Sequence, residues 1–230
     1  MSLSTARVAA LALSISALLC GGAAAEEGVK LSGTAVLATD YMSKGVSKNE
    51  GEPALSGSLE ASTGVFYAGT WASDAATAQG GDAELHLYAG VRPRFGEIQW
   101  DLRAMAKTVP GTAPGVQESY AEFRVDGTRT LGKTKARVRV EYSPDNYGAT
   151  REAWWVEGQV SHPIGDRFTA SASLGRREQN GGADYTAWNA GGALNLTDRV
   201  ALDMRWYDTD AHDLGKAYRG KVVAALSVRF

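Results

Sequence analysis

The chain has 230 residues, with 24 Lys and Arg against 26 Asp and Glu and a formal net charge of -2, so no global field recruits nucleic acid. Apolar residues make up 44% and the mean hydropathy is -0.23, too polar for a helical membrane protein. One Cys excludes a disulfide framework and any cysteine-based metal cluster, while 27 Gly against 6 Pro points to many short strands and turns.

Residues 1–25 read as a cleavable secretory signal peptide. Arg7 is their only charge, residues 8–19 (VAALALSISALL) are apolar, and Ala23-Ala24-Ala25 supplies an A-x-A site before Glu26-Glu27. The apolar run is too short to span a bilayer as a helix. Leu19 before Cys20 departs from the small residue that a lipoprotein signal needs. Cleavage after Ala25 leaves residues 26–230 as one domain without cysteine, with 23 basic against 26 acidic residues, or -3.

From there on, side chains alternate with period 2, which in a strand places them on opposite faces. Twelve such segments are predicted, near 31–41, 54–63, 65–73, 82–91, 97–107, 117–125, 133–142, 151–161, 167–176, 184–194, 199–207 and 218–230. Short turns at 63–64, 92–96, 126–127 onward, 162–166 and 195–198 alternate with longer polar connections at 42–53, 74–81, 108–116, 143–150, 177–183 and 208–217. An even strand count with that alternation predicts an all-β fold: a single 12-stranded antiparallel transmembrane β-barrel with short periplasmic turns and longer extracellular loops.

Alternation also suits a soluble barrel with an apolar interior. Lys135, Arg137 and Arg139 share one face of one segment. Facing lipid at the midplane, each would cost about 2–4 kcal/mol, together a large share of a domain's stability of about 5–15 kcal/mol. In a membrane that face must line the lumen, and the opposite face (Ala136, Val138, Val140) carries no charge. The same parity puts Arg103, Arg124, Arg205 and Lys221 inside with Glu60, Glu84, Asp101, Glu122 and Asp203. Guessed registers bring Glu122 to Arg137, Glu118 to Glu141 or a neighbour, Glu84 to Arg103, His86 to Asp101 and Asp203 to Lys221. Segment 65–73 is apolar on both faces; a two-residue turn at Thr63-Gly64 would put Tyr67 and Trp71 inside, beside Glu60. Tyr142, Trp154, Phe168, Trp206 and Tyr218 fall toward segment ends as a membrane-interface girdle. The terminal Phe230, preceded by Val222, Leu226 and Val228 on the same face, resembles the C-terminal signal read by the outer-membrane assembly machinery.

Several stretches carry a more specific resemblance. These are Asp40-Tyr41-x-x-x-Gly45-Val46-Ser47, Pro53-Ala54-Leu55-x-Gly57-Ser58-Leu59, Gly64-Val65-Phe66-Tyr67-Ala68-Gly69-x-Trp71-Ala72-Ser73 and Glu84-Leu85-x-Leu87-Tyr88-Ala89-Gly90, followed by Tyr142-Ser143-Pro144-Asp145-Asn146-Tyr147-Gly148 and Trp206-Tyr207-Asp208-Thr209-Asp210. On these residues the chain resembles the TorF-type porin family, also labelled Gcw_chp, over essentially all of residues 26–230. The resemblance implies an outer-membrane barrel with porin activity and no settled substrate. Two departures are His86, where the family usually has Asp, and Val91 after Gly90, where an aromatic is common.

Other motifs have plainer readings. Gly127-x-x-x-x-Gly132-Lys133-Thr134 matches a phosphate-binding loop in letters, but residues 135–142 alternate as a strand and offer no helix N-terminus. Asp208, Asp210, His212 and Asp213 could hold Ca²⁺ or bridge lipopolysaccharide, and read equally as a solvated loop. The expected function is passive diffusion of small polar or ionic solutes through a narrow charged lumen in a bacterial outer membrane. The expected partners are outer-membrane lipid, lipopolysaccharide and the barrel-assembly machinery, with no nucleic acid, cofactor, metal or catalytic residue. A closed barrel acting through its loops and an outer-membrane hydrolase using His212 stay open as alternatives.

Overall fold

The computed structural model describes residues 28–230 apart from residue 78; the expected signal peptide lies outside them. Twelve strands form the body: β1 (Lys30–Ala38), β2 (Ala54–Thr63), β3 (Phe66–Asp74), β4 (Ala83–Val91), β5 (Ile98–Thr108), β6 (Ser119–Leu131), β7 (Thr134–Ser143), β8 (Ala153–Ile164), β9 (Phe168–Gln179), β10 (Tyr185–Asn195), β11 (Val200–Thr209) and β12 (Lys221–Arg229). Each pairs antiparallel with the next, and β12 returns to β1, with Thr34 opposite Arg229 and Ala38 opposite Ala225. Closure leaves no strand edge to pair with another chain or to face hydrocarbon unpaired. Among the described residues no helix is long and apolar enough to cross a membrane. The helical content of the described residues is two short 3-10 turns, His212–Leu214 and Lys216–Tyr218.

All twelve expected segments are strands; β1 ends three residues early, at Ala38, β9 runs three residues further, to Gln179, and three other boundaries differ for identifiable reasons. β6 does not stop at Asp126-Gly127 but runs on to Leu131. Gly127 sits in the ladder opposite Trp100 and Val138, and the Trp100 ring lies over the space its missing side chain leaves. The turn falls at Gly132-Lys133, where Gly132 adopts φ +61°, a conformation glycine enters without steric cost. β8 likewise runs through His162-Pro163 to Ile164, with Pro163 near the end of the ladder opposite Thr169, where a missing donor is tolerated. β12 begins at Lys221, because residues 212–218 coil into the two 3-10 turns.

The outer face is apolar. Leu37, Leu87, Val138, Val156, Val160, Leu174, Met204 and Leu226 stand exposed along the middle of the strands. Aromatic side chains lie on the same face nearer its two rims. Phe66 and Phe168 begin their strands at the short-turn end, while Trp154, Trp188 and Trp206 lie toward the long loops. Tyr142 and Trp154 stack there with centroids 4.3 Å apart. Tyr218 departs from this pattern. It lies in the second 3-10 turn and packs edge-on against the buried Tyr185, centroids 5.4 Å apart. It therefore belongs to the inner face, because the chain there is no strand and period 2 does not govern it.

Candidate functional site

The interior is polar, and its charges come from strand parity. Alternate residues of β5, β6 and β7 point inward, bringing Asp101, Arg103 and Lys107 beside Glu122, Arg124 and Asp126, and these beside Arg137, Arg139 and Glu141. The longer β6 sets the register: Arg139 is opposite Asp126 and Glu141 opposite Arg124, so Arg137 faces Thr128 rather than Glu122. Arg139 donates from Nε and Nη2 to the two oxygens of Asp126, both at 2.7 Å. Arg124 Nε reaches Glu141 at 2.6 Å, and Arg137 Nη2 reaches Glu157 of β8 at 2.5 Å.

The loop after β1, residues 39–53, folds into this interior. A miniature hairpin, Met42–Ser43 against Val46–Ser47, turns on Lys44 (φ +52°) and Gly45 (φ +79°), a pair of left-handed residues as a two-residue hairpin turn requires. A side chain at position 45 would meet Ala187 Cβ of β10 at 2.2 Å. Lys44 Nζ reaches Glu122 at 2.6 Å and Glu141 at 2.7 Å. The hairpin leaves the wall between β1 and β2 and is held on the far side, at β6, β7 and β10. Its base is fixed too. Asp40 accepts from Ser47 Oγ and from Lys221 Nζ, each at 2.9 Å, and Tyr41 OH donates to Glu84 at 3.2 Å. The sequence motif from Asp40 to Ser47 thus encodes a strap across the lumen.

The strap divides the interior. On its short-turn side lies a cavity of about 460 Å³, lined by Lys44, Arg137, Arg139 and Arg205 against two carboxylates, Glu157 and Asp203, with Trp155, Gln159, Asn189 and Tyr207 between them. Arg205 is held by Asn189 Oδ1 at 2.7 Å, Ser171 Oγ at 2.8 Å and Asp203 Oδ2 at 3.1 Å. On the long-loop side a second cavity of about 340 Å³ shares Lys44 as a wall.

A further cluster lies toward the short turns of β2 to β5. Arg92, from the turn after β4, makes two bonds to Glu60, at 2.6 and 2.9 Å, and one to Asp101 at 3.2 Å. Those carboxylates hold its guanidinium above the usual arginine range. Its plane lies 3.7 Å over the Tyr67 ring, and Arg103 lies 4.5 Å over Tyr88, both cation–π distances. Tyr67 OH donates to Asp101 and accepts from Arg103 Nε. Tyr67 and Tyr88 each fill the place of a missing side chain on the neighbouring strand: Tyr88 OH lies over Gly69 and Tyr67 OH over Gly90. This reciprocal fit is what the motifs at 64–73 and 84–90 specify.

The charges expected in the lumen from strand parity keep that parity in the ladder, though not always with the expected partner, and Glu118 is exposed ahead of β6. Glu84 meets His86 at 2.6 Å on its own strand, while Arg103 pairs instead with Tyr67 and, at 3.6 Å, with Asp101. His86 is opposite Lys107 and stacks on Trp71, centroids 4.4 Å apart. Asp203 turns to Arg205 and Lys221 to Asp40, because Asp203 is opposite Ala225 and Lys221 opposite Tyr207. Glu141 faces Arg124 rather than Glu118. Lys135 is exposed near the short turns, with no ion pair among the described residues. The sequence reading missed Lys44, Lys48, Arg92, Lys107 and Arg177. Lys107 was available from parity, two residues beyond Met105, and Arg177 lies one residue past the expected end of its segment, in a strand that runs on to Gln179; Lys44, Lys48 and Arg92 required the loops and turns to be placed.

The acidic loop before β12 is committed to its own folding. Asp208 accepts from His212 Nε2 at 2.6 Å and from the Thr209 amide at 2.9 Å, and Asp210 accepts from the Thr186 amide at 2.7 Å. That backbone bond keeps the Asp210 carboxyl below its ordinary range. Among the described residues no group of three His, Cys, Asp or Glu side chains is placed to hold a metal.

The model of the family described as "Bacterial protein of unknown function (Gcw_chp)" matches residues 22–227. No curated protein matches the chain. Among solved structures, a KdgM porin is similar with a TM-score of 0.60 at 7% identity, covering 86% of this chain and 98% of that one. A KdgM porin in complex with disordered oligogalacturonate gives 0.57 at 7%, covering 87% and 97%. A NanC porin gives 0.58 at 10%, covering 87% and 99%. At such identities the likeness is one of fold.

Proposed function

The chain belongs to the Gcw_chp family, and from the charged lumen of its barrel we propose that it is an outer-membrane channel for passive diffusion of small polar or ionic solutes. The observation that carries this reading is the cavity on the short-turn side of the strap, with four basic side chains against two carboxylates. Flux through such a lumen depends on its narrowest radius and on the charges lining it. The basic excess favours solutes of negative charge, in keeping with the oligogalacturonate bound in one of the structurally similar porins. Arg103, Arg124, Lys135, Arg137, Arg139, Arg205 and Lys221 set the positive side of the field, and Glu60, Glu84, Asp101, Glu122 and Asp203 the negative. No residue is assigned a catalytic role.

In this reading the short turns face the periplasm and the long loops the exterior. The apolar belt meets lipid, the loop rim meets lipopolysaccharide, and Phe230 with Val222, Leu226 and Val228 presents the C-terminal face to the assembly machinery. A closed barrel working through its loops is the second reading. The bridge from Lys44 to both Glu122 and Glu141 favours it. The deciding experiment is single-channel recording of the refolded chain in a planar bilayer under a salt gradient. Discrete steps with an anion-directed reversal potential are expected. A correctly folded barrel that passes no current would overturn the channel in favour of the closed barrel.

A further inference from the structure

The cavity on the long-loop side of the strap is lined by two cations that differ from those of the ion-pair network. Lys107, Arg124, Arg137 and Arg139 each reach a carboxylate within 3 Å. Arg177 of β9 does not. Only 6% exposed, it spends one donor on Gln179 Oε1 at 3.2 Å, and its terminal nitrogens meet no acceptor among the described residues. Lys48, from the strap's return toward β2, lines the same cavity, and its ammonium also has no partner among the described residues. Lys44 and Lys107 face this cavity as well, against only Glu50 and Glu84, and Glu84 is occupied by His86 and Tyr41. Burial pulls Lys48 below the ordinary lysine range. The charges of Arg177, Lys44 and Lys107 push the same way, and Glu84 opposes them.

A buried cation without a counter-charge is costly, and a guanidinium with free terminal donors matches the two oxygens of a carboxylate or phosphate. The remaining wall supplies groups for the body of a polar solute. These are the amides of Gln79 and Asn146, the hydroxyls of Thr77 and Tyr147, and the rings of Tyr120 and Tyr185. Its volume of about 340 Å³ suits a small molecule. We infer that this cavity is a binding site for a small oxyanion-bearing solute, its carboxylate or phosphate held between Arg177 and Lys48. The inference deepens the channel reading by placing a recognition step at the long-loop mouth. It rests on that reading only for the route of entry, because occupancy can be measured without current.

The test adds glucuronate, inorganic phosphate or glucose to the long-loop side of channels in a planar bilayer. At least one anion is expected to interrupt the current at concentrations ~10-fold or more below those at which glucose does. Interruption by glucuronate alone identifies a carboxylate site and by phosphate alone a phosphate site. The double variant Lys48→Gln, Arg177→Gln should raise the half-blocking concentration by ~10-fold or more, and Arg177→Lys should retain part of the block. Equal action of glucose and both anions would overturn the site. So would unchanged block in a double variant that still migrates as a heat-modifiable, folded barrel. A silent bilayer counts against the channel alone. Calorimetric titration of the full chain in detergent with the same anions then decides the site: saturable heat lost in the double variant supports it, and no heat overturns it.

Discussion

Lys44 and Glu122, 78 residues apart in sequence, meet at 2.6 Å across the inside of the barrel. The bond is one member of a chain. Glu122 also takes Lys107 at 2.6 Å, and Lys44 also takes Glu141, which Arg124 holds at 2.6 Å. Glu122 is 1% exposed and Glu141 3%, so neither carboxylate could remain ionised there unpaired. Two carboxylates on the wall, two cations on the wall and one on the strap make a set that can lose the strap's cation and stay paired.

Lys44→Ala is therefore expected to loosen the strap while sparing the barrel. Glu122 keeps Lys107 and Glu141 keeps Arg124. The stability lost should be near the value of one charged hydrogen bond, about 1.5–3 kcal/mol, measured as a shift of the urea midpoint. Unitary conductance should rise, because the strap crosses the lumen between its two cavities. Conductance equal to that of the parent chain would show that the strap does not limit flow.

Gly45→Ala tests the same strap by sterics. The new Cβ would fall 2.2 Å from Ala187 Cβ at a backbone φ of +79°, so both the contact and the conformation oppose it, the latter by about 1–3 kcal/mol. The hairpin tip should leave the β10 wall without disturbing the ladder. The expected readouts are faster protease cleavage within residues 39–53 and conductance close to that of Lys44→Ala.

Arg137→Glu together with Arg139→Glu should move the reversal potential in a salt gradient toward cation selectivity. Both side chains border the cavity of about 460 Å³, where field lines are confined by the low-dielectric wall. Lys133→Glu, in the turn after β6, provides the control. It makes a single charge reversal outside the ladder and should leave the potential nearly unchanged. A shift of equal size in the control would assign selectivity to the mouth instead of the lumen.

The barrel was legible in the sequence because a strand that separates oil from water must alternate, and twelve stretches do. Parity alone placed Arg137, Arg139 and Glu122 on the inner face, whereas Tyr67 and Trp71, in a segment apolar on both faces, followed only from a turn at Thr63-Gly64. Parity says nothing of register, and one misplaced turn at Asp126-Gly127 gave Arg137 the wrong partner. Gly127 resembles a turn residue in sequence; only the neighbouring Trp100 shows that it serves as a seat for a ring. The strap was legible as a motif and not as a structure. Its direction is set by contacts to strands 78 and 97 residues onward, at Glu122 and Glu141, and no local pattern encodes them. Tyr218 failed for the converse reason, since alternation was extended into a stretch whose glycines and polar residues fold as 3-10 turns.

Val138→Arg tests the outer face. Val138 lies midway along β7 and is 58% exposed, so an arginine there should cost about 2–4 kcal/mol in a bilayer and much less in detergent, where the side chain finds water. Urea unfolding from liposomes and from micelles gives the two values. Equal costs would argue against an apolar medium around this face.

Phe230 and Gly33 meet at the barrel seam. Gly33 N–H donates to Phe230 O at 2.8 Å and Phe230 N–H donates to Gly33 O at 3.0 Å, closing the ladder between the first and last strands. The Phe230 ring then lies over Gly33, where a Cβ would come within 2.3 Å of it. Gly33→Val should displace the ring, and Phe230→Ala should remove it. The two changes act on one contact, so their effects should not add. In Phe230→Ala the valine finds room, and the double variant should be no worse than Gly33→Val alone. Folded, heat-modifiable protein is measured first after unassisted refolding into liposomes and then in the outer membrane of expressing cells. If Phe230 serves chiefly the seam, both assays should fall together for both single variants. If it serves chiefly as a signal to the assembly machinery, Phe230→Ala should refold normally in liposomes and fail only in cells. Gly33→Val, which keeps the terminal side chain but moves it, shows whether that signal depends on the ring's position.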